Sequence, residues 1–81
     1  IALDSQGRIW ATDMELDKVF CLSPDGNLLL EYGGHANIDD LSGKGFSQPS
    51  GIAAIKNANG EFLYIGDTGN QRILKFRILF R

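Results

Sequence analysis

The sequence predicts an all-β fold of short antiparallel strands, and three observations carry that prediction. Apolar runs are four to six residues long, turn signals recur about every ten residues, and the pattern of the first part returns near the end. Such runs fall short of the roughly 10–12 residues a helix usually needs, and they are rich in β-branched and aromatic side chains. The 81 residues include ten glycines and only two prolines, which marks a turn-rich chain without a collagen period.

In chain order the expected strands are Ile1–Asp4, Arg8–Asp13, Lys18–Ser23 and Asn27–Gly33, then Gly51–Ile55, Glu61–Gly66 and Arg72–Arg77, with residues 78–81 opening an eighth strand or its turn. Ser5-Gln6-Gly7, Pro24-Asp25-Gly26-Asn27, Gly33-Gly34, Asn57-Ala58-Asn59-Gly60 and Thr68-Gly69-Asn70 separate them. These residue types supply left-handed backbone or bond locally to turn amides. Val19-Phe20-Cys21-Leu22 is apolar without alternation, so both sides of that strand should be covered.

Composition bounds the function. A net charge of −2, from eight Lys and Arg against ten Asp and Glu, lacks the basic stripe of a phosphate-backbone binder. Nucleic acid is therefore not an expected partner. No apolar run approaches the roughly 18 residues of a membrane span. Cys21 is the single cysteine, which excludes an internal disulfide and a multi-cysteine zinc site and leans towards a reducing compartment. The chain begins at Ile1 with neither a methionine nor a secretory pattern, as a piece of a longer polypeptide would.

A repeat organises the whole. Ile1-Ala2 matches Ile52-Ala53, Gly7 matches Gly60, Asp13 matches Asp67, Trp10 aligns with Tyr64, Lys18 with Arg72, Val19 with Ile73 and Leu22 with Phe76. The offset grows from 51 to 54 because the second copy has the longer first turn. One supersecondary unit is used twice: residues 1–33 form a first four-stranded blade, 34–50 a long connection, and 51–81 a second, truncated blade. A lone four-stranded sheet cannot bury both faces, so neighbouring copies must cover them, which is the logic of a propeller.

The segment Phe46-Ser47-Gln48-Pro49-Ser50-Gly51-Ile52-Ala53, then Gly60, then Tyr64-Ile65-Gly66-Asp67-Thr68-Gly69-Asn70-Gln71-Arg72-Ile73 resembles the NHL repeat. Asn70-Gln71-Arg72 stands where the family has its Asn-His-Leu triplet, so the triplet departs from the name. The first copy, Asp13-Met14-Glu15-Leu16-Asp17-Lys18-Val19, keeps the Asp, the basic and the β-branched residue but not the glycine. Kelch repeats also run near 50 residues, but Gly33-Gly34 is missing from the second copy. The resemblance implies a segment of an NHL-like β-propeller, about 1.7 blades of antiparallel four-stranded sheets, incomplete on its own. Its partners would be the remaining blades of a longer chain or identical copies.

An antiparallel meander sorts its turns by end, so Met14–Asp17, Thr68–Gln71 and the long connection share one edge. That edge carries Glu15, Asp17, Asp39 and Asp40 against Lys44, with His35 beside them. Long loops on a rigid scaffold are where binding usually sits, and this one suits basic peptides, cations or polyhydroxylated ligands. The expected function is a non-catalytic binding or scaffold module that recognises a protein or small ligand there.

The alternative is part of a propeller enzyme. Metal-dependent lactonases, strictosidine-synthase-like proteins and amidating lyases have similar architecture, with sites completed by other blades. The inner strands offer only Asp4 as an ionisable group, which favours binding. RNA binding, known among proteins with similar repeats, is opposed by the net charge.

No catalytic, cofactor or metal residue is assigned. A divalent cation such as calcium is expected only where other blades supply ligands, because His35, Asp39 and Asp40 lack a ligating motif. Gly43-Lys44-Gly45 fails as a phosphate loop, and Ser47 and Ser50 lack a nucleophile elbow. Asp13 and Asp67 are expected to bind the amides of the turns that follow them, and Lys18 and Arg72 to pair with acids of the next turn or blade. Trp10, Phe20, Tyr64 and Phe76 should pack between blades, and Cys21 should be a buried, inert thiol.

Overall fold

The predicted runs form two antiparallel sheets, in which β-strand pleating buries alternate residues of the inner strands. The computed structural model describes residues 1–79. The first sheet is a four-stranded meander of β1 (Ala2–Leu3), β2 (Ile9–Asp13), β3 (Lys18–Leu22) and β4 (Leu28–Gly33). The second has β5 (Pro49–Asn57), β6 (Gly60–Asp67) and β7 (Arg72–Ile78), with a single 3₁₀ turn at Thr68–Asn70. Neither sheet closes on itself, and no α-helix occurs among the described residues.

The differences from the sequence-based boundaries are local. The second sheet's strands are longer than expected, and β5 starts at Pro49, inside the segment read as connection. A register shift between Pro49 and Gly51 lets the proline join the edge without spoiling the ladder. Ile78 still belongs to β7, while positions 80 and 81 of the suggested eighth strand lie outside the described residues.

Turn chemistry explains why the hairpins close. Gly7 and Gly26 adopt φ of +75° and +90°, and their amides donate to the carbonyls of Asp4 and Ser23 at 3.0 and 2.8 Å. The β2–β3 and β6–β7 turns both finish on a left-handed residue just before the basic one. Asp17 has φ +56° and Gln71 has φ +53°. The repeat is therefore conformational as well as sequential.

Register places the side chains. Trp10 lies opposite Cys21, Thr12 opposite Val19, Cys21 opposite Leu30 and Val19 opposite Tyr32, so these residues share one face of the first sheet. In the second sheet Leu63 lies opposite Ala54 and Phe76, and Ile65 opposite Ile52 and Leu74. The two faces meet in a core of Trp10, Val19, Cys21, Phe46, Leu63, Ile65 and Ile78, flanked by Ile52, Ala54, Leu74 and Phe76.

The stacking has a direction. The repeat counterparts of Leu63, Ile65, Leu74 and Phe76 are Ile9, Ala11, Phe20 and Leu22, which lie on the outer face of the first sheet. The counterparts of Trp10, Thr12, Val19 and Cys21 are Tyr64, Gly66, Ile73 and Lys75, on the outer face of the second. One sheet's front thus rests on the other's back, a head-to-tail contact. Val19 and Cys21 are buried, whereas Phe20 and Leu22 are half-buried, so β3 is fully covered on one side only.

The long connection is not a bare loop. Phe46, fully buried, meets Tyr32 and Phe76 edge-on at ring distances of 6.2 and 6.1 Å. Its amide donates to the Gly34 carbonyl and its carbonyl accepts from the Ala36 amide, each at 2.8 Å. Burying such a ring contributes about 1.5–3 kcal/mol, enough to tie the connection to both sheets.

Candidate binding edge

Two hairpin turns and the connection meet at one edge of the sheets, and carboxylates hold them there. Asp67 is the principal fastening. Its fully buried carboxylate accepts from the Ser47 amide at 2.6 Å, Asn70 Nδ2 at 2.9 Å and Arg72 Nε at 2.7 Å. Burial pushes this carboxyl up, but the bonds from Asn70, Ser47 and Arg72 more than offset it and hold Asp67 below the ordinary value. Asn70 Nδ2 also donates to the Ala36 carbonyl at 2.8 Å, and Arg72 Nη1 to the Asp40 carbonyl at 2.8 Å. The Gly69 amide reaches the Ser47 carbonyl. The second turn thereby grips the connection at positions 36, 40 and 47.

The first turn grips the same connection from the other side. Asp17 Oδ1 accepts from the Gln48 amide at 2.7 Å, and Oδ2 lies 3.0 Å from His35 Nδ1. The Gln48 bond, helped by His35, lowers the Asp17 carboxyl. The Gly34 amide donates to the Asp17 carbonyl at 2.9 Å, and Thr12 Oγ1 to the Ser50 carbonyl at 3.1 Å.

The six residues marked from the sequence thus divide into two groups. Asp17, His35 and Asp40 serve the edge's own structure: Asp40 Oδ1 accepts from the Ser42 amide at 2.9 Å, and bonds from Ser42 depress its carboxyl. The side chains of Glu15, Asp39 and Lys44 are exposed and form no hydrogen bond or ion pair among the described residues. No group of three or more His, Cys, Asp or Glu side chains is placed to hold a metal ion among the described residues.

Two expectations need correction. Asp13 binds turn amides, accepting from Glu15 and Leu16 at 2.9 and 3.1 Å, but Asp67 does not. Its following turn is a 3₁₀ turn whose Gln71 amide bonds the Thr68 carbonyl instead, so the carboxylate is free to face the connection. Arg72 takes its acid from the strand before its own turn, whereas Lys18 pairs with Glu31 on the next strand at 2.9 Å. Trp10 and Phe76 pack between the sheets, while Phe20 and Tyr64 are half-buried on outer faces. Cys21 is buried, and burial raises its thiol, which disfavours the reactive thiolate.

At the opposite end lies a hub that sequence reasoning left without a role. Buried Asp4 accepts from the Gln6 and Arg8 amides, from Arg8 Nε at 2.8 Å and from Trp10 Nε1 at 2.9 Å. Burial raises its carboxyl, and the bonds from Trp10 and Arg8 bring the balance below the ordinary value. Beside it Glu61 reaches across to the first sheet, accepting from Ser5 Oγ at 2.7 Å and the Ser5 amide at 2.8 Å. The only hint of this hub was the Asp-x-x-x-Arg-x-Trp spacing of residues 4–10.

No protein-family model matches the chain, and a comparison with curated proteins finds no match either.

Proposed function

We propose that this chain is a segment of an NHL-like β-propeller that serves as a non-catalytic binding or scaffold module. The front-to-back stacking supports the architecture: such a contact propagates, leaving each outer face as the mate of a face already buried. The fastening of residues 34–50 supports the function. Asp17 and Asp67 turn a long connection into a fixed shelf, and Glu15, Asp39 and Lys44 stand on it with side chains that form no hydrogen bond or ion pair among the described residues. A pre-organised polar surface of this kind loses little entropy when it takes a ligand. Asp4 is committed to four donors of its own turn and strand, which disfavours the propeller-enzyme alternative for this segment.

The test is an NMR titration of the 81-residue chain with an oligo-lysine peptide and, separately, with Ca²⁺. Saturable shifts at Glu15, Asp39 and their neighbours, lost in the doubly substituted E15Q/D39N chain, are expected for at least one ligand. Shifts elsewhere, or none with either ligand, would overturn the assignment of this edge.

A further inference from the structure

Asn59-Gly60 closes the β5–β6 hairpin, at the end of the sheets away from the long connection. Ala58 and Asn59 form the whole loop, because β5 ends at Asn57, β6 begins at Gly60, and those two residues lie opposite each other. The tip is exposed to solvent. The Asn59 amide donates to Asn57 Oδ1 at 2.8 Å, but the Asn59 side chain forms no hydrogen bond among the described residues.

An asparagine side chain without a partner is a latent electrophile, because the backbone nitrogen of the next residue can attack its Cγ. The reaction needs a side chain free to rotate, no Cβ crowding the attacking nitrogen, and a peptide nitrogen able to lose its proton. The asparagines of the chain differ in the first two respects. Asn37, Asn57 and Asn70 have engaged side chains, the first two accepting from the Asp39 and Asn59 amides and the third donating to the Ala36 carbonyl and Asp67. Asn27 forms no side-chain bond among the described residues, but the bulky Leu28 follows it. Asn59 combines an unengaged side chain with a following glycine.

An arginine meets the third need. Arg77 Nη2 donates to the Asn59 carbonyl oxygen at 3.1 Å. That oxygen belongs to the peptide whose nitrogen, on Gly60, is the nucleophile, and it takes up negative charge when the nitrogen is deprotonated. A guanidinium placed there stabilises the charge where it develops. Gly60 makes room for it, since an added Cβ at this φ of +139° would stand 3.1 Å from Arg77 Nη2.

We infer that Asn59-Gly60 is a self-modification site, at which Arg77 promotes conversion of the asparagine to aspartyl and isoaspartyl forms. The Gly60 nitrogen gives up its proton and bonds to Asn59 Cγ, the Cγ–Nδ2 bond breaks, and ammonia leaves with the proton. Water then opens the cyclic imide. Breaking the bond from Cγ to nitrogen gives the aspartyl form. Breaking the bond from the main-chain carbonyl to nitrogen leaves the backbone running through Cγ, one atom longer inside a tight loop. Either product adds a negative charge to a chain of net −2, on the residue whose carbonyl Arg77 already holds. The inference rests on this hairpin and not on what the connection edge binds, so either can fail alone.

The test is incubation of the folded 81-residue chain in mildly alkaline buffer, followed by peptide mapping with fragmentation that separates the two aspartyl forms. Asn59 should convert before any other asparagine. Arg77→Met should slow it about threefold, the size expected of one exposed charged contact, and Arg77→Lys should keep most of the rate. Arg77 is exposed, so both variants should fold, which unchanged circular dichroism checks. In urea the effect of Arg77→Met should vanish, because residues 59 and 77 no longer meet. Conversion at Asn59 no faster than at Asn27, an unchanged rate in folded Arg77→Met, or an equal slowing in urea would each overturn the inference.

Discussion

Replacing Asp67 by alanine tests whether the binding edge is fastened as described. The change removes an acceptor of three hydrogen bonds and strands the Arg72 guanidinium, whose side chain is only 16% exposed. Breaking a buried ion pair by removing one partner costs about 3–5 kcal/mol, because the surviving charge stays desolvated. Asp13→Ala is the internal control. It removes two bonds to turn amides at the equivalent, less buried position and should cost about 1 kcal/mol. Urea unfolding with unchanged slope measures both losses. A second substitution, Arg72→Met, removes the orphaned charge and should return part of the loss in the Asp67→Ala background. Acid titration reads the same interaction. The Asp67 carboxyl is depressed in the folded chain, as is that of Asp4, so their contribution is fully present above the unfolded value near 4. It is lost as the pH falls through the lower folded values. The midpoint temperature should therefore drop steeply below about pH 4, less steeply in Asp67→Asn. Equal losses for Asp13→Ala and Asp67→Ala, or an unchanged acid slope in Asp67→Asn, would refute the reasoning.

Two further outcomes are expected. At Gly33, with φ +116°, an added Cβ would stand 2.7 Å from Phe46 Cε2 and 2.9 Å from the Asp17 carbonyl, whereas at Gly34, with φ +137°, it meets nothing within 4 Å. Both alanine variants strain the backbone, but Gly33→Ala should lose about 1–3 kcal/mol more by thermal or urea unfolding, the part due to overpacking. On the outer faces, Phe20→Glu and Ile73→Glu should reduce concentration-dependent association of the chain in analytical ultracentrifugation without changing its circular dichroism. An unsubstituted 81-residue chain that stays folded and strictly monomeric at high concentration would count against the stacking proposed for those faces.

Much of the fold was legible because it depends on run length, residue type and turn chemistry, which are local. The runs Ile9–Asp13 and Lys18–Leu22 are short, rich in β-branched and aromatic residues and flanked by residues that favour turns, so their strands follow from a few neighbouring positions. The repeat was legible for the same reason. The connection was not: Phe46 sits among glycine and serine, and its burial depends on Tyr32 and Phe76, which lie far off in sequence. The edge was legible as a place, since a meander dictates which turns are neighbours. The roles of its charges were not, because Asp17 and Asp40 look like Glu15 and Asp39 until the amides of Gln48 and Ser42 arrive beside them.

The two outer faces are repeat-related to the buried ones but are not equally exposed to association. On the first sheet Leu3 and Leu28 are 63% and 56% exposed, Phe20 and Leu22 are half-buried, and the nearby cation Lys18 is already paired with Glu31. On the second sheet Lys75 stands where the first has Cys21, and its ammonium sits 4.3 Å from the centre of the Phe62 ring and 5.7 Å from that of Tyr64. Arg77 approaches Phe62 as well, at 5.9 Å. Long cationic side chains laid over aromatic rings shield apolar surface while keeping their charge in water. The face of the second sheet is therefore tolerable in water, and a mate must displace or accommodate Lys75 and Arg77. On the outer face of the first sheet no cation lies over an aromatic ring among the described residues. A head-to-tail stack built from this unit should consequently be driven by burial at the first sheet's face and selected by charge at the second's, where an acidic mate is favoured over a neutral one.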